Sequence, residues 1–283
     1  MILERLKRAA AIHDLSGFGK CSLTVILPIM SSMGVETCAI PTAVLSSHTG
    51  GLPGYVSQDL TSLMIPFARQ WKDLGLSFDA LYSGYLATPE QADSVMEIFG
   101  LLRSEGTLTA VDPVMADNGK FYSNCTPELL REMRHLCGAA DLILPNLTEA
   151  AFLLEEPYQE GPGSREIWET LLKKLTALGP SQAVLTGVWR SPEEIGAVGY
   201  DRRTGGFCQW FVPRVEGRYH GTGDAFASVM ISALLRGMTM QRSLELAVEF
   251  TRRIIARTHS AGTDPRYGVL FEPELPFLSG IFQ

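Results

Sequence analysis

Thr107-Leu108-Thr109-Ala110-Val111-Asp112-Pro113 is a short apolar run that stops on a carboxylate and a proline. A strand with one wet face alternates apolar and polar residues, whereas a parallel strand covered on both faces is apolar almost throughout. Thr107–Asp112 is of the second kind. The same reading extends outward to Ala9–His13, Val35–Ile40, Ala80–Ser83, Asp141–Leu144 and Ala183–Thr186. Ile195–Tyr200 and Gly206–Val212 bracket the polar, turn-rich Asp201-Arg202-Arg203-Thr204-Gly205 and predict an antiparallel hairpin at the sheet edge. Helical stretches lie between: Ser22–Met33, Pro89–Ser104, Pro127–Cys137, Ser164–Leu178, Gly223–Arg236 and Met240–Thr258. Gly34, Gly138, Gly179 and Gly237 are expected just past four of them, where a left-handed cap suits glycine. Pro89 and Pro127 open two helices, each behind a threonine suited to the N-cap. Such alternation predicts a three-layer α/β/α fold: a mostly parallel central sheet, helices on both faces and an antiparallel edge hairpin.

Ser46–Gly54 and Ala116–Asn124 read as long glycine-bearing loops, and Glu156–Gly163 as a surface loop. No repeat or composition shift divides the chain, so residues 1–283 are expected to form one domain, near the ~250–300 residues at which a single core stops growing. With 31 acidic and 24 basic residues the net charge is −7, and no basic stripe is present to meet a nucleic acid. No apolar run approaches the roughly 18 residues of a membrane span, and the first residues lack the apolar core of a signal peptide, so a cytoplasmic protein is expected. The five cysteines (21, 38, 125, 137 and 208) form no Cys-x-x-Cys pair and read as reduced thiols.

Polar residues collect at the carboxyl ends of the apolar strands: His13-Asp14, Ser83-Gly84-Tyr85, Asp112-Pro113, Pro145-Asn146 and Thr186-Gly187. Turn residues belong at strand ends in any fold. Five such groups on one rim, however, predict a site, because open parallel sheets bind ligands there. The sharpest feature is Gly221-Thr222-Gly223-Asp224 ahead of a helical run to Arg236. The glycines allow a tight turn, and the helix start supplies unpaired N–H groups and a positive field, which together make an anion hole. Asp224, in the first turn, is placed to take a proton from a hydroxyl as that hydroxyl attacks a phosphoryl group. A simple capping turn has the same spacing.

Asp112 and Asp117, five residues apart across a proline-stiffened loop, suit Mg²⁺ held through water. Asn146 and Glu149 share a helix face; they form a capping box, or Glu149 is a second carboxylate on the Mg²⁺ side, or both. The sequence contains no P-loop motif, no Gly-x-Gly-x-x-Gly after the first strand, no Gly-x-Ser-x-Gly elbow and no His-Glu-x-x-His.

Gly221-Thr222-Gly223-Asp224 resembles the signature of ribokinase-like small-molecule kinases. The blocks Ser46-Ser47-His48-Thr49-Gly50, Ser83-Gly84-Tyr85, Asp112-Pro113-Val114-Met115 and Pro145-Asn146-Leu147-Thr148-Glu149 resemble, in order, those of the pyridoxal (pyridoxamine) kinases. The resemblance spans residues 9 to about 237. It implies ATP-dependent phosphorylation of the 5′-hydroxymethyl group of a B6 vitamer. Asp224 would be the general base, with the N–H groups of Gly221, Thr222 and Gly223 as the anion hole. Asp112, Asp117, Asn146 and Glu149 would surround Mg²⁺ and the ATP phosphates, with Asp112 and Glu149 on the metal. Thr186 and Gly187 would lie beside the nucleotide, and Tyr122 on a flap that closes about Gly119 with Lys120 as a cation. Asp14, Thr49 and Tyr85 would face the pyridine ring, with His48 nearby. It also implies a homodimer and leaves a requirement for a monovalent cation such as K⁺ open.

Asp14 departs from the serine usual in that group; a carboxylate there suits an ion pair with a protonated ring nitrogen or a 4′-ammonium, which predicts a tilt towards pyridoxamine, while a simple cap of the loop Leu15–Gly19 is the other reading. Hydroxymethylpyrimidine kinase is the neighbouring reading, since Asp14-Leu15-Ser16-Gly17-Phe18-Gly19 partly matches that group's glycine-rich loop. A nucleotide-binding regulatory protein without turnover is the non-enzymatic alternative. Cys21, Met30, Met33, Met230 and Phe226 read as packing residues, and His220 as a loop histidine ahead of the anion hole.

Overall fold

The computed structural model describes residues 5–123 and 125–281. Asn124, at the end of the predicted loop 116–124, lies outside them. The strands are β1 (Lys7–Ser16), β2 (Val35–Leu45), β3 (Ser57–Asp59), β4 (Ala80–Ser83), β5 (Leu108–Val111), β6 (Ala116–Asp117), β7 (Lys120–Phe121), β8 (Leu142–Ile143), β9 (Gln182–Ser191), β10 (Glu194–Asp201) and β11 (Gly206–Pro213). The helices are α1 (Leu23–Ser32), α2 (Thr61–Asp73), α3 (Pro89–Leu102), α4 (Pro127–Ala139), α5 (Leu147–Leu153), α6 (Arg165–Ala177), α7 (Thr222–Leu235), α8 (Met240–Ala261) and α9 (Leu275–Ser279).

Nine strands form one sheet in the order β11-β10-β9-β8-β5-β4-β1-β2-β3. The inner run from β9 to β2 is parallel, and β3, β10 and β11 are antiparallel additions at the two edges. The apolar strand runs have the cause inferred from sequence. Along β1, Ala9 and Ala11 pack with α1, α7 and α8, while Ala10 and Ile12 pack with α2–α6 on the other face. All four are fully buried. Burial of a side chain the size of Ile12 contributes ~1.5–3 kcal/mol, so each face of this strand is a substantial source of stability.

The chain passes from β1 through α1 to β2 on one side, then returns through α2 to place β4 on the other side of β1. That reversal opens a crevice beyond the carboxyl ends of β1 and β4, where doubly wound sheets bind ligands. His13-Asp14 and Ser83-Gly84-Tyr85 stand on its two sides.

Two local expectations fail. Gly138 does not cap α4 but lies inside its last turn. The α6 terminus packs on it so closely that an added β-carbon would come within 2.9 Å of the Leu178 carbonyl oxygen. Thr126 caps α4 by accepting the Leu129 N–H (3.2 Å), but Thr88 makes no such bond at α3; Gln91 instead accepts the Ala87 N–H with its Oε1 (2.8 Å). The predicted loop 116–124 contains the β6–β7 hairpin, and α2, β3 and α9 were not anticipated.

Candidate active site

Gly221 caps α7 at φ 82°, ψ 1°, a left-handed conformation that glycine adopts without penalty. A β-carbon there would run into the Lys20 carbonyl, so this glycine also lets the loop between β1 and α1 press against the helix start. The first N–H groups of α7 have no acceptors within the helix. Thr222 Oγ1 is turned back to donate to the Tyr219 carbonyl (3.2 Å).

Asp224 lies in the first turn, and its Oδ2 accepts the Ser22 N–H at 2.8 Å. Burial and the nearby Asp14 charge raise its carboxyl to about 6, against the pull of the Ser22 bond. Ser22 holds a left-handed φ of 53° and also donates its Oγ to Asp14 Oδ1 (2.5 Å); Ser16 Oγ donates to Asp14 Oδ2 (2.8 Å). Both Asp14 oxygens are therefore engaged in shaping the loop.

The Asp112 carboxylate faces the helix start: a β-carbon on Gly223 would lie 3.7 Å from its Oδ2. Asp112 is 6% exposed, and no described side chain or backbone group donates to its carboxylate. Burial and Asp224 push its carboxyl well above the usual range. Glu149 is raised likewise, by burial and then by Asp112. Glu149 completes a capping box with Asn146: Asn146 Oδ1 accepts the Glu149 N–H (2.9 Å), and Glu149 Oε2 accepts the Asn146 N–H (2.9 Å). Its Oε1 accepts the Met115 N–H (3.2 Å). The capping reading is thus the one observed, with the carboxylate still charge-coupled to Asp112. A buried carboxylate without a donor, between two others, is the kind of oxygen-rich environment that suits a hard divalent cation.

The β6–β7 hairpin lies over this side. Gly119 is anchored at its tip, donating its N–H to Thr148 Oγ1 (3.0 Å), and Tyr158 packs against it. Asp117 turns both oxygens to Asn118, accepting from its N–H (2.9 Å) and Nδ2 (2.6 Å). Burial raises its carboxyl, and Arg218 opposes the rise. Tyr122 hangs from Met115 by its N–H (2.9 Å), and its phenol is raised by burial and then by the charges of Glu149, Asp117, Asp112 and Asp224. Asn146 donates from Nδ2 to the Ala116 carbonyl (2.8 Å) and tethers the hairpin. Thr186 pairs with Asn146 across the sheet, and Gly187 follows at φ 65°.

On the β1–β4 side, Tyr85 is raised to about 12 by burial and by Asp14, Tyr55 and Cys125. Thr49 is exposed at the rim. His48 is buried and acts as a strut: Nδ1 accepts the Gly50 N–H (3.0 Å) and Nε2 donates to the Arg266 carbonyl (2.6 Å). Sequence reasoning missed Ser22, whose role depends on a backbone angle no motif signals. It also missed Phe18 and Tyr267, an exposed pair with ring centroids 5.2 Å apart at the mouth.

The family model described as phosphomethylpyrimidine kinase matches residues 27–267. A Bacteroides thetaiotaomicron protein provisionally named a phosphomethylpyrimidine kinase, solved in an orthorhombic form with pyridoxal, is 39% identical with TM-score 0.92, covering 97% of this chain and 96% of its own. The pyridoxal kinase of Lactobacillus plantarum is 31% identical with TM-score 0.89, covering 98% of each chain. The pyridoxal kinase PdxY of Rubrobacter xylanophilus is 25% identical over 245 residues, 82% of this chain and 81% of its own. The architecture is that of the ribokinase-like kinases. Within them, this chain belongs to the phosphomethylpyrimidine kinase family.

Proposed function

We propose that this chain transfers the γ-phosphoryl group of ATP to the 5′-hydroxymethyl group of a B6 vitamer, with Asp224 as general base. The observation that carries the reading is the buried Asp224 carboxyl, raised to about 6 and fixed by the Ser22 N–H at the start of α7. A base of that strength is ionised at neutral pH yet still accepts a proton readily. It removes the hydroxyl proton as the oxygen attacks phosphorus, while the first N–H groups of α7 stabilise charge on the phosphoryl oxygens. Asp112 and Glu149 would hold Mg²⁺, which neutralises phosphate charge. Tyr122 and the anchored hairpin cover the phosphates and limit loss of ATP to water.

Support for the acceptor comes from relatives named pyridoxal kinases and from the pyridoxal present in the Bacteroides structure. A second reading, phosphorylation of a hydroxymethylpyrimidine, is favoured by the description of the matching family. Pyridoxal, pyridoxamine, pyridoxine and hydroxymethylpyrimidine, each supplied with Mg-ATP and followed by the phosphorylated product, separate the two. ATP consumption that requires the vitamer and disappears in Asp224→Ala excludes a binding protein without turnover. Product from the pyrimidine alone would overturn the B6 assignment. By analogy with relatives we expect a homodimer; among the described residues no helix is long and apolar enough to cross a membrane.

A further inference from the structure

Three side chains outside the phosphoryl-transfer chemistry converge beside it. The ligand atoms of Cys21, His48 and His220 all lie within 4.8 Å of one another. Each comes from a different loop: the one after β1, the one after β2, and the one that leads into α7. The two imidazoles face each other with centroids 4.4 Å apart and 39° between their planes. No described residue hydrogen-bonds to the His220 ring, and the Cys21 thiol has only a weak contact to the Gly19 carbonyl at 3.9 Å. His48 is pre-oriented. Because Nδ1 accepts from Gly50, the proton sits on Nε2 and goes to the Arg266 carbonyl. A backbone carbonyl that holds the second ring N–H is the outer support that metal-binding histidines ordinarily have.

We propose that Cys21, His48 and His220 form a site for a thiophilic divalent cation of the Zn²⁺ type, separate from the oxygen ligands Asp112 and Glu149. Tetrahedral Zn²⁺ with bonds of ~2.0–2.3 Å needs donors ~3.4–3.7 Å apart, so side-chain movements of about 1 Å close the trio around an ion. His48 contributes Nδ1, exchanging the Gly50 N–H for the metal, His220 contributes a ring nitrogen, and Cys21 contributes Sγ as thiolate after losing its proton to solvent. The fourth position is left to water. Burial, then Asp224 and Asp14, hold the Cys21 thiol well above its ordinary range, so the cation itself must drive the proton off, while the two carboxylates favour a positive ion beside it. Mg²⁺, which prefers oxygen, is not expected to compete. An ion here ties together the three loops that carry Ser22, Thr49 and Gly221, and so makes the kinase rim responsive to such metals.

The test uses the full chain without nucleotide, with excess Mg²⁺ present. Titrated Co²⁺ is expected to give a thiolate charge-transfer absorption that saturates at about one ion per chain, is displaced by Zn²⁺, and is lost in Cys21→Ser. His220→Ala is expected to weaken binding by at least ~10-fold. Zn²⁺ is expected to raise the Tm of the unaltered protein and not that of Cys21→Ser. X-ray absorption of the Zn²⁺-loaded unaltered protein, which needs no variant to fold, should show one sulfur and two imidazole nitrogens. An absorption that persists in Cys21→Ser, a shell of oxygen alone, or no binding of either ion overturns the proposal.

Discussion

Ser22 and Asp224, 202 residues apart in sequence, are joined by a 2.8 Å bond from the serine N–H to the carboxylate Oδ2. The same serine gives its hydroxyl to Asp14. The loop after β1 thereby fixes the side chain at the start of α7. Because the bond comes from the backbone, the identity of residue 22 affects Asp224 only through the conformation of the loop.

Asp224→Asn is expected to lower turnover by ~10²–10⁴, the range general-base removal produces. In the enzyme itself, kcat/KM should fall as pH drops through about 6, because the protonated carboxyl cannot act as a base. The stability effect has the opposite sense. The folded carboxyl sits near 6 against an ordinary 3.8, so folding favours its protonated form. Its ionisation opposes folding fully above about pH 6 and not at all below about pH 4. Asp224→Asn should therefore unfold at higher denaturant at pH 7, by at most ~3 kcal/mol, with the gain gone at acid pH. Equal midpoints at pH 7 would contradict the buried charge.

Ser22→Ala leaves the buried Asp14 without one of its two donors and should cost about 1–3 kcal/mol. Ser22→Gly loses the same hydroxyl but adopts φ 53° freely, which should return ~1 kcal/mol. Urea midpoints of the two variants check the order, glycine above alanine.

Gly221→Ala places a methyl group against the Lys20 carbonyl in a left-handed turn. The expected result is ~2 kcal/mol or more of lost stability, together with a large loss of kcat, because the helix start and the Ser22 loop must separate. A melting curve and an ADP-release assay on the same preparation report both.

Glu149 combines a capping role with charge coupling to Asp112, and two variants separate them. Glu149→Gln preserves a side chain able to complete the box, so stability should hold while the Mg²⁺ concentration for half-maximal rate rises. Glu149→Ala should also cost ~0.5–2 kcal/mol through the lost cap. An unchanged Mg²⁺ requirement in both would remove Glu149 from the metal side.

Asp14→Ser tests the vitamer tilt expected from sequence. Each Asp14 oxygen already accepts from a serine hydroxyl, so the ratio of kcat/KM for pyridoxamine and pyridoxal should change by less than ~2-fold while the Tm falls. A tenfold drop in the ratio would restore the ion pair with the substrate ammonium.

The strands and the carboxylate rim were legible because burial on both faces forces continuous apolar runs, and because turns after parallel strands fall on one edge of the sheet. Asp112 at the end of β5, Glu149 in the first turn of α5 and Asp224 in the first turn of α7 are brought together on the rim. What sequence could not convey was conformation without composition. Nothing in Gly-Lys-Cys-Ser announces that Ser22 holds a positive φ and points its N–H at residue 224. His48 was expected near the substrate by resemblance alone; the structure adds that both its nitrogens brace loops, a role that a histidine beside Thr49 does not announce. Gly138 illustrates a further limit: a small residue near a helix end can be there for a neighbouring helix instead of a cap.

At the mouth, four glycines substitute contact for bulk. Gly19 lies under the His48 ring, Gly50 under His220, Gly221 on the Lys20 carbonyl and Gly268 on the Gly19 carbonyl. Loops that interlock this closely behave as a masonry joint, in which widening one seam opens the next. Attempts to broaden acceptor choice through those positions should collapse the mouth as a unit. Phe18 and Tyr267, half-exposed rings that pack edge-to-face at the threshold, are where a protein engineer can change the guest and leave the stonework standing.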